Sequence, residues 1–219
     1  MSFNMEPLQI VIFLLMQVPA AFLALGMHEQ VKAWCSTKLG DPTPKNHGLL
    51  TNNYFKFIEP IGFILTVIMG FGWGRPTPTS PLYYKDRKKG ILITYLTPSL
   101  VNLLFGLLGA VSVAMLNRFA SPYIHGAHPT FILGFGWVLR FLFTLARINI
   151  GVALFNMIPV PPLDAAKLLQ MVLSPNAAIK MTQNEKVLQV ILMFLIVFGI
   201  ITRVINPVIN FMMGLALVF

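Results

Sequence analysis

Four long apolar stretches, at about residues 8–30, 91–117, 131–158 and 187–219, leave this chain little choice of fold. A bilayer core about 30 Å thick is crossed by roughly 20 apolar residues in helical form. Inside it only helices or closed barrels satisfy their own backbone polar groups. Each stretch is long enough, so the expectation is an all-α polytopic membrane protein. With 56% of its 219 residues hydrophobic and 11% charged, the chain is no ordinary soluble domain. Its net charge of +9 sits in short loops without interleaved aromatics, a pattern that fits membrane topology and excludes a nucleic-acid partner. A single cysteine forbids an internal disulfide.

The first apolar stretch has no basic residue before it, only Glu6, so it reads as a retained helix rather than a secretory leader. Lys32, Lys38 and Lys45 follow it, which puts its carboxyl end on the cytoplasmic side. A fifth apolar run, 58–73, is short for a span, and the residues leave open whether it crosses or re-enters. The last stretch is long enough to tilt, or to bend at Asn206-Pro207. Residues 39–57 mix turn formers with Leu49-Leu50 and Tyr54-Phe55, consistent with a small interfacial β-sheet or hairpin or with a plain aromatic-anchored loop. An exposed strand edge there would pair with an extended backbone. No repeat or linker interrupts the chain, so residues 1–219 read as one domain.

Near the end of the first stretch stands Met27-His28-Glu29-Gln30-Val31-Lys32. In the motif H-E-x-x-H two histidines four residues apart share a helix face and grip one zinc ion, while the glutamate serves as general base. Here the second histidine is Lys32. Far along the chain, Asn156-Met157-Ile158-Pro159-Val160-Pro161-Pro162-Leu163-Asp164 brings a carboxylate to the end of an apolar run behind three prolines.

With both segments in view, the chain resembles the site-2 protease family of intramembrane zinc metalloproteases. The likeness continues through Leu39-Gly40-Asp41-Pro42-Thr43-Pro44-Lys45, Gly48-Leu49-Leu50-Thr51, Pro60-Ile61-Gly62, Phe71-Gly72-Trp73-Gly74-Arg75-Pro76 and Pro98-Ser99-Leu100-Val101-Asn102, in family order. It implies His28 and Asp164 as metal ligands, Glu29 as the catalytic base, and Asn149 and Asn156 as residues that hold the substrate backbone or oxyanion. It also implies zinc as cofactor, a transmembrane or membrane-proximal protein segment as partner, and a multi-pass protein of a prokaryotic cell membrane with its site toward the cytoplasm.

Departures from the family pattern cluster at the chemistry. Leu49 stands where an arginine is usual, Phe57 where a histidine precedes the I-D-P turn, Asp164-Ala165-Ala166 for D-G-G and Leu96-Thr97-Pro98 for A-G-P. Free lysine has a pKa of about 10.4, so presenting it as a neutral ligand at pH 7 costs about 4.6 kcal/mol. Two dispositions remain for Lys32: an ammonium that neutralises Glu29 and Asp164 internally, or one that snorkels to the headgroups. Cys35, His47, His125 and His128 are poor substitutes for the missing ligand. Cys35 lies about 10.5 Å from His28 along the helix, and the others read as solvated loop histidines.

Asn102, Arg140, Arg147, Asn149 and Asn156 lie inside apolar stretches. Arg140 and Arg147 are spaced to share a face, as are Asn149 and Asn156. For Asn102 helix-to-helix hydrogen bonding is the preferred role. The expected function is a catalytically impaired pseudoprotease that binds membrane segments, with zinc absent or weakly bound. The alternatives are an active zinc protease with an unusual ligand set and, with least support, a small transporter or channel using the arginines.

Overall fold

The computed structural model describes residues 6–124 and 128–217, and His125 lies outside them. Among the described residues the regular structure is helical throughout. Three helices are long and apolar enough to cross a membrane: α1 (Pro7–Lys38), α4 (Arg87–Ile124, apolar to Ala120) and α5 (Pro129–Asn156). At about 1.5 Å per residue each exceeds a 30 Å core. Between α1 and α4 lie the short α2 (Thr43–Asn46) and α3 (Pro60–Met69). After α5 come α6 (Asp164–Val172), α7 (Pro175–Gln183), α8 (Glu185–Val197) and α9 (Ile200–Leu217).

α8 and α9 qualify as one span only together, bent by 66°. The bend falls at Gly199, whose φ of 71° ends α8, and not at Asn206-Pro207, which α9 absorbs. Glycine adopts that left-handed conformation at no steric cost, whereas a proline within a helix removes only one hydrogen bond.

The expected sheet in 39–57 is absent: the segment forms α2 and a 3₁₀ turn at Tyr54–Phe57. Local hydrogen bonds explain the difference. Asp41 Oδ1 accepts from Thr43 N at 2.9 Å and Asn53 Oδ1 from Phe55 N at 3.2 Å, and such bonds offer the backbone a turn in place of a ladder.

Segment 58–74 doubles back. It enters at Phe57, runs through α3, turns at Gly70 and returns so that Arg75 N donates to Phe57 O at 2.7 Å. Its ends meet, so it does not run from one end of the bundle to the other. Gly70 lies against Gly151 of α5 so closely that a Cβ on Gly151 would collide with the Gly70 carbonyl.

Small residues set the close approach of the three long helices. Gly106 and Gly109 of α4 face Ala146 and Ile150 of α5 in antiparallel register. On α1 a stripe of Ala20, Ala21, Ala24 and Leu25 packs against Ile148 and Val152 of α5. In a membrane such stripes matter because association there depends on van der Waals fit and hydrogen bonds, not on water exclusion. The α1 stripe continues through His28, Glu29 and Lys32, so three ionisable groups are carried inward on the buried face.

The loop after α1 is tied down by Asp41, whose Oδ2 accepts from Ser36 Oγ and Ser80 N, both at 2.7 Å. Ser36 Oγ also meets Tyr84 Oη at 2.8 Å, which joins this knot to Thr94 of α4. Burial alone would raise the Asp41 carboxyl, but hydrogen bonds from Thr43, Ser80 and Ser36 outweigh it and hold the group below the usual carboxylate range. A folded-state pKa below the unfolded value of about 3.9 means stability that is present above that pH and lost as pH falls through the folded pKa. Asp41→Asn is expected to cost about 1–3 kcal/mol at pH 7 and to flatten the decline of thermal stability below about pH 4. Identical acid slopes for the two proteins would rule out this role.

Candidate functional site

α1, α4, α5 and α6 bring one polar cluster into an otherwise apolar interior. His28, Glu29 and Lys32 of α1, Asn102 of α4, Asn149 of α5 and Asp164 of α6 are each no more than 3% exposed. Lys32 Nζ lies at its centre, 2.7 Å from Glu29 Oε1 and 2.7 Å from Asp164 Oδ1. The other oxygen of Asp164 sits 3.0 Å from His28 Nε2. Residues 136 apart in the chain thus meet directly.

The orientation of His28 follows from a chain of amides. Asn149 Nδ2 donates to the Leu145 carbonyl at 2.8 Å, which leaves Asn149 Oδ1 to accept from Asn102 Nδ2 at 2.9 Å. That same Asn102 nitrogen donates to the Ala24 carbonyl, so Asn102 Oδ1 faces His28 Nδ1 at 3.0 Å and the ring nitrogen must donate. At its other side His28 Nε2 meets the Asp164 carboxyl group at 3.0 Å. Lys32 and His28 are thus enclosed by the Glu29 and Asp164 carboxylates and the Asn102 amide. Pairing the ammonium with both carboxylates offsets part of the penalty of burying charge in a low-dielectric interior.

Glu29 is held from a second direction. Its Oε2 accepts from Thr77 N at 2.9 Å, and its backbone carbonyl accepts from Thr77 Oγ1 at 3.2 Å. The strip that carries Thr77 passes so close that a Cβ on Gly74 would lie 2.8 Å from Glu29 Cγ. Sequence reasoning missed Thr77. It also undervalued Asn102, which makes the expected helix-to-helix bonds but ends its chain on His28. The run Phe71 to Pro76 was the available signal for Thr77, since a glycine-rich, proline-ended strip suits close passage over a buried side chain.

The other candidates fall elsewhere. Asn156 donates to Gly72 O at 3.3 Å and to Val152 O at 2.9 Å, so it anchors the same strip and makes no bond to the charged cluster. Arg147 donates to Asn210 and Asn206 of α9, at 2.8 and 3.5 Å. Arg140, although on the same face of α5, stacks over Trp137 at 5.9 Å. Phe57 is buried against Tyr54, and Glu59 caps α3 by accepting from Gly62 N at 2.6 Å. His47 is exposed at the end of α2, His128 accepts weakly from Thr130 N at 3.4 Å, and Cys35 is buried on α1. Among the described residues no three His, Cys, Asp or Glu side chains form a group able to hold a metal ion.

Comparisons with known proteins show the family. Over 205 residues, covering 93% of this chain and 89% of the relative, the sequence is 29% identical to a Bacillus subtilis (strain 168) protein named "Putative zinc metalloprotease YwhC". No solved structure matches the chain significantly. The sequence pattern of Peptidase family M50 matches residues 10–201, nearly the whole chain. The chain therefore belongs to Peptidase family M50, the site-2 protease family, as a multi-pass membrane protein with metalloprotease-like character.

Proposed function

We propose that this protein is a pseudoprotease: a site-2 protease scaffold that binds a transmembrane or membrane-proximal protein segment beside its buried cluster without hydrolysing it. The observation that carries this is the position of Lys32 Nζ, 2.7 Å from both the would-be base Glu29 and the would-be ligand Asp164. A catalytic zinc site needs three protein ligands and an open position for water. Of the ligands implied by the family, His28 and Asp164 remain side by side, and Lys32 stands where the third should be. The donor set does not fit a zinc ion. The Lys32 ammonium stands instead between the two carboxylates and compensates them, and an ammonium supplies neither a Lewis acid nor an activated water.

Room for a bound segment exists next to the cluster. A cavity of about 650 Å³ between α3 and α8 is lined by Ile61, Trp73, Pro162, Val190, Met193 and Phe194. Trp73 adjoins Gly74, which packs on Glu29, and Pro162 lies two residues before Asp164. The cavity's polar corner is its own, with Glu59, Glu185, Lys186 and Gln189 in the lining, and an apolar wall with such a corner suits a membrane helix whose end unravels there. The positive loops after α1 favour the cytoplasmic side for this corner.

The rival reading is an active zinc protease with an unusual ligand set. His28 and Asp164 still touch, but such an enzyme must strip a proton from an ammonium held by two carboxylates. The deciding experiment places the purified chain and a labelled transmembrane peptide in the same bilayer and follows the peptide by mass spectrometry. The expected result is a bound, full-length peptide whether or not a chelator is present. Cleavage that is lost both to a chelator and to Glu29→Gln would overturn the proposal.

A further inference from the structure

Beside the loop that Asp41 anchors, a second cavity of about 500 Å³ opens between the first turn of α4 and helices α6 and α7. Its charged lining is of one sign: Arg87 and Lys88 from α4 and Lys167 from α6, with no carboxylate among the lining residues. The neighbouring acid, Asp86, caps the start of α4 by accepting from Lys89 N at 3.1 Å and pairs with Lys89 Nζ at 3.9 Å. Polar groups without charge complete the wall. Tyr95, 8% exposed, shares a 2.7 Å hydrogen bond with Thr79, and Gln170 stands one helical turn beyond Lys167.

Arg87, Lys88 and Lys167, all solvent-exposed, bring positive charge from two separate helices to one cavity, and the combined potential favours an anion there. Ammonium, guanidinium and hydroxyl donors around this half-open pocket, with Lys167 Nζ 3.5 Å from Gln170 Oε1 and Gln170 Nε2 3.4 Å from Thr182 Oγ1, suit a compact oxyanion with several acceptor oxygens. An extended acidic peptide would call instead for an open groove. Ile91 and Met171 add apolar wall, and Ile91 begins the apolar part of α4, so the cavity lies where that helix leaves the hydrocarbon. We infer that this cavity is a binding site for a phosphate group, carried either by a lipid headgroup or by a soluble phosphate compound. None of His28, Lys32 and Asp164 lines the cavity, although Tyr95 of its wall lies within electrostatic reach of Lys32 and Asp164 and Lys167 follows Asp164 on α6, and the inference does not depend on whether that cluster is catalytic.

The test compares the native chain with Arg87→Gln/Lys167→Gln, and with Lys38→Gln/Lys45→Gln as a control that removes the same charge elsewhere. In nanodiscs of phosphatidylcholine, ATP binding is measured by calorimetry. In detergent, retention of added phosphatidylglycerol is counted by native mass spectrometry, so the two arms separate a soluble phosphate source from a lipid one. Saturable binding in at least one arm is expected, weakened about a hundredfold in the lining variant, or about tenfold per cation removed, and unchanged in the control. Thermal unfolding of all three proteins shows whether the variants remain folded; if the double variant does not, Lys167→Gln alone is expected to lose about tenfold. Equal weakening in the control would reduce the effect to general surface charge and overturn the inference. Absence of binding in both arms would overturn it too, as would displacement of the phosphate probe by an acidic peptide of equal affinity.

Discussion

Lys32→His is expected to convert this protein into a zinc binder. Position 32 follows His28 by one helical turn on the buried face of α1, so the new imidazole would stand beside His28 Nε2 and Asp164 Oδ2. Structural zinc sites gain about 10–16 kcal/mol from four ligands, so one added ligand corresponds to roughly a hundredfold to a thousandfold in affinity. Loss of the ammonium adds to that gain. Metal content of native and variant protein, purified side by side and titrated with a competing chelator, is the measurement. Stoichiometric zinc in the native protein would mean that Lys32 yields its proton to the metal and that the active-protease reading is right. Equal failure of both proteins to bind zinc would mean that more than one residue separates this pocket from a metal site.

Lys32 and Asp164 are expected to be strongly coupled in stability. Each is about 3% exposed, and their charged atoms are 2.7 Å apart. Removing one member of a buried pair leaves the other uncompensated, at a cost of about 3–5 kcal/mol, whereas removing both costs much less than the sum. Glu29 is the third corner, 2.7 Å from the same ammonium, so Lys32→Met removes the counter-charge of two carboxylates, leaving Asp164 with His28 and Glu29 with the Thr77 amide, whereas Asp164→Asn removes one partner of the ammonium. The lysine variant should therefore be the less stable single. Lys32→Met, Asp164→Asn and the double variant, unfolded in the same detergent or bilayer, complete the cycle. Strictly additive losses would show that the geometry carries no coupling energy.

The long spans were legible because apolar length is a local property. α1, α4 and α5 coincide with runs visible in the residues, and each contains its own backbone hydrogen bonds whatever its neighbours do. The candidate residues His28, Glu29, Lys32 and Asp164 were equally legible, since the spacing on α1 and the proline-ended run before Asp164 are written in the chain. Misreadings came where short-range bonds compete with pattern. Residues 39–57 carry strand-like pairs of large side chains, yet Asp41 and Asn53 capture nearby amides and turn the backbone. At the last span proline was the obvious break, but the chain bends at Gly199 because a positive φ redirects a helix more than one missing hydrogen bond does.

By itself the sequence determined that the chain is a helical membrane protein of Peptidase family M50, and that the signature's second histidine is a lysine. Only the tertiary structure decided what that lysine does. From the residues, Lys32 was as free to reach the headgroups as to turn inward, since a long side chain on a helix end serves both. Packing of α4, α5 and α6 around α1 chose the inward disposition, closing the ammonium between Glu29 and Asp164 and aligning His28 through Asn102 and Asn149. The physical reason is that ion pairing acts through space over a few ångströms, and no spacing along one helix reveals which distant carboxylate will be folded to within that reach.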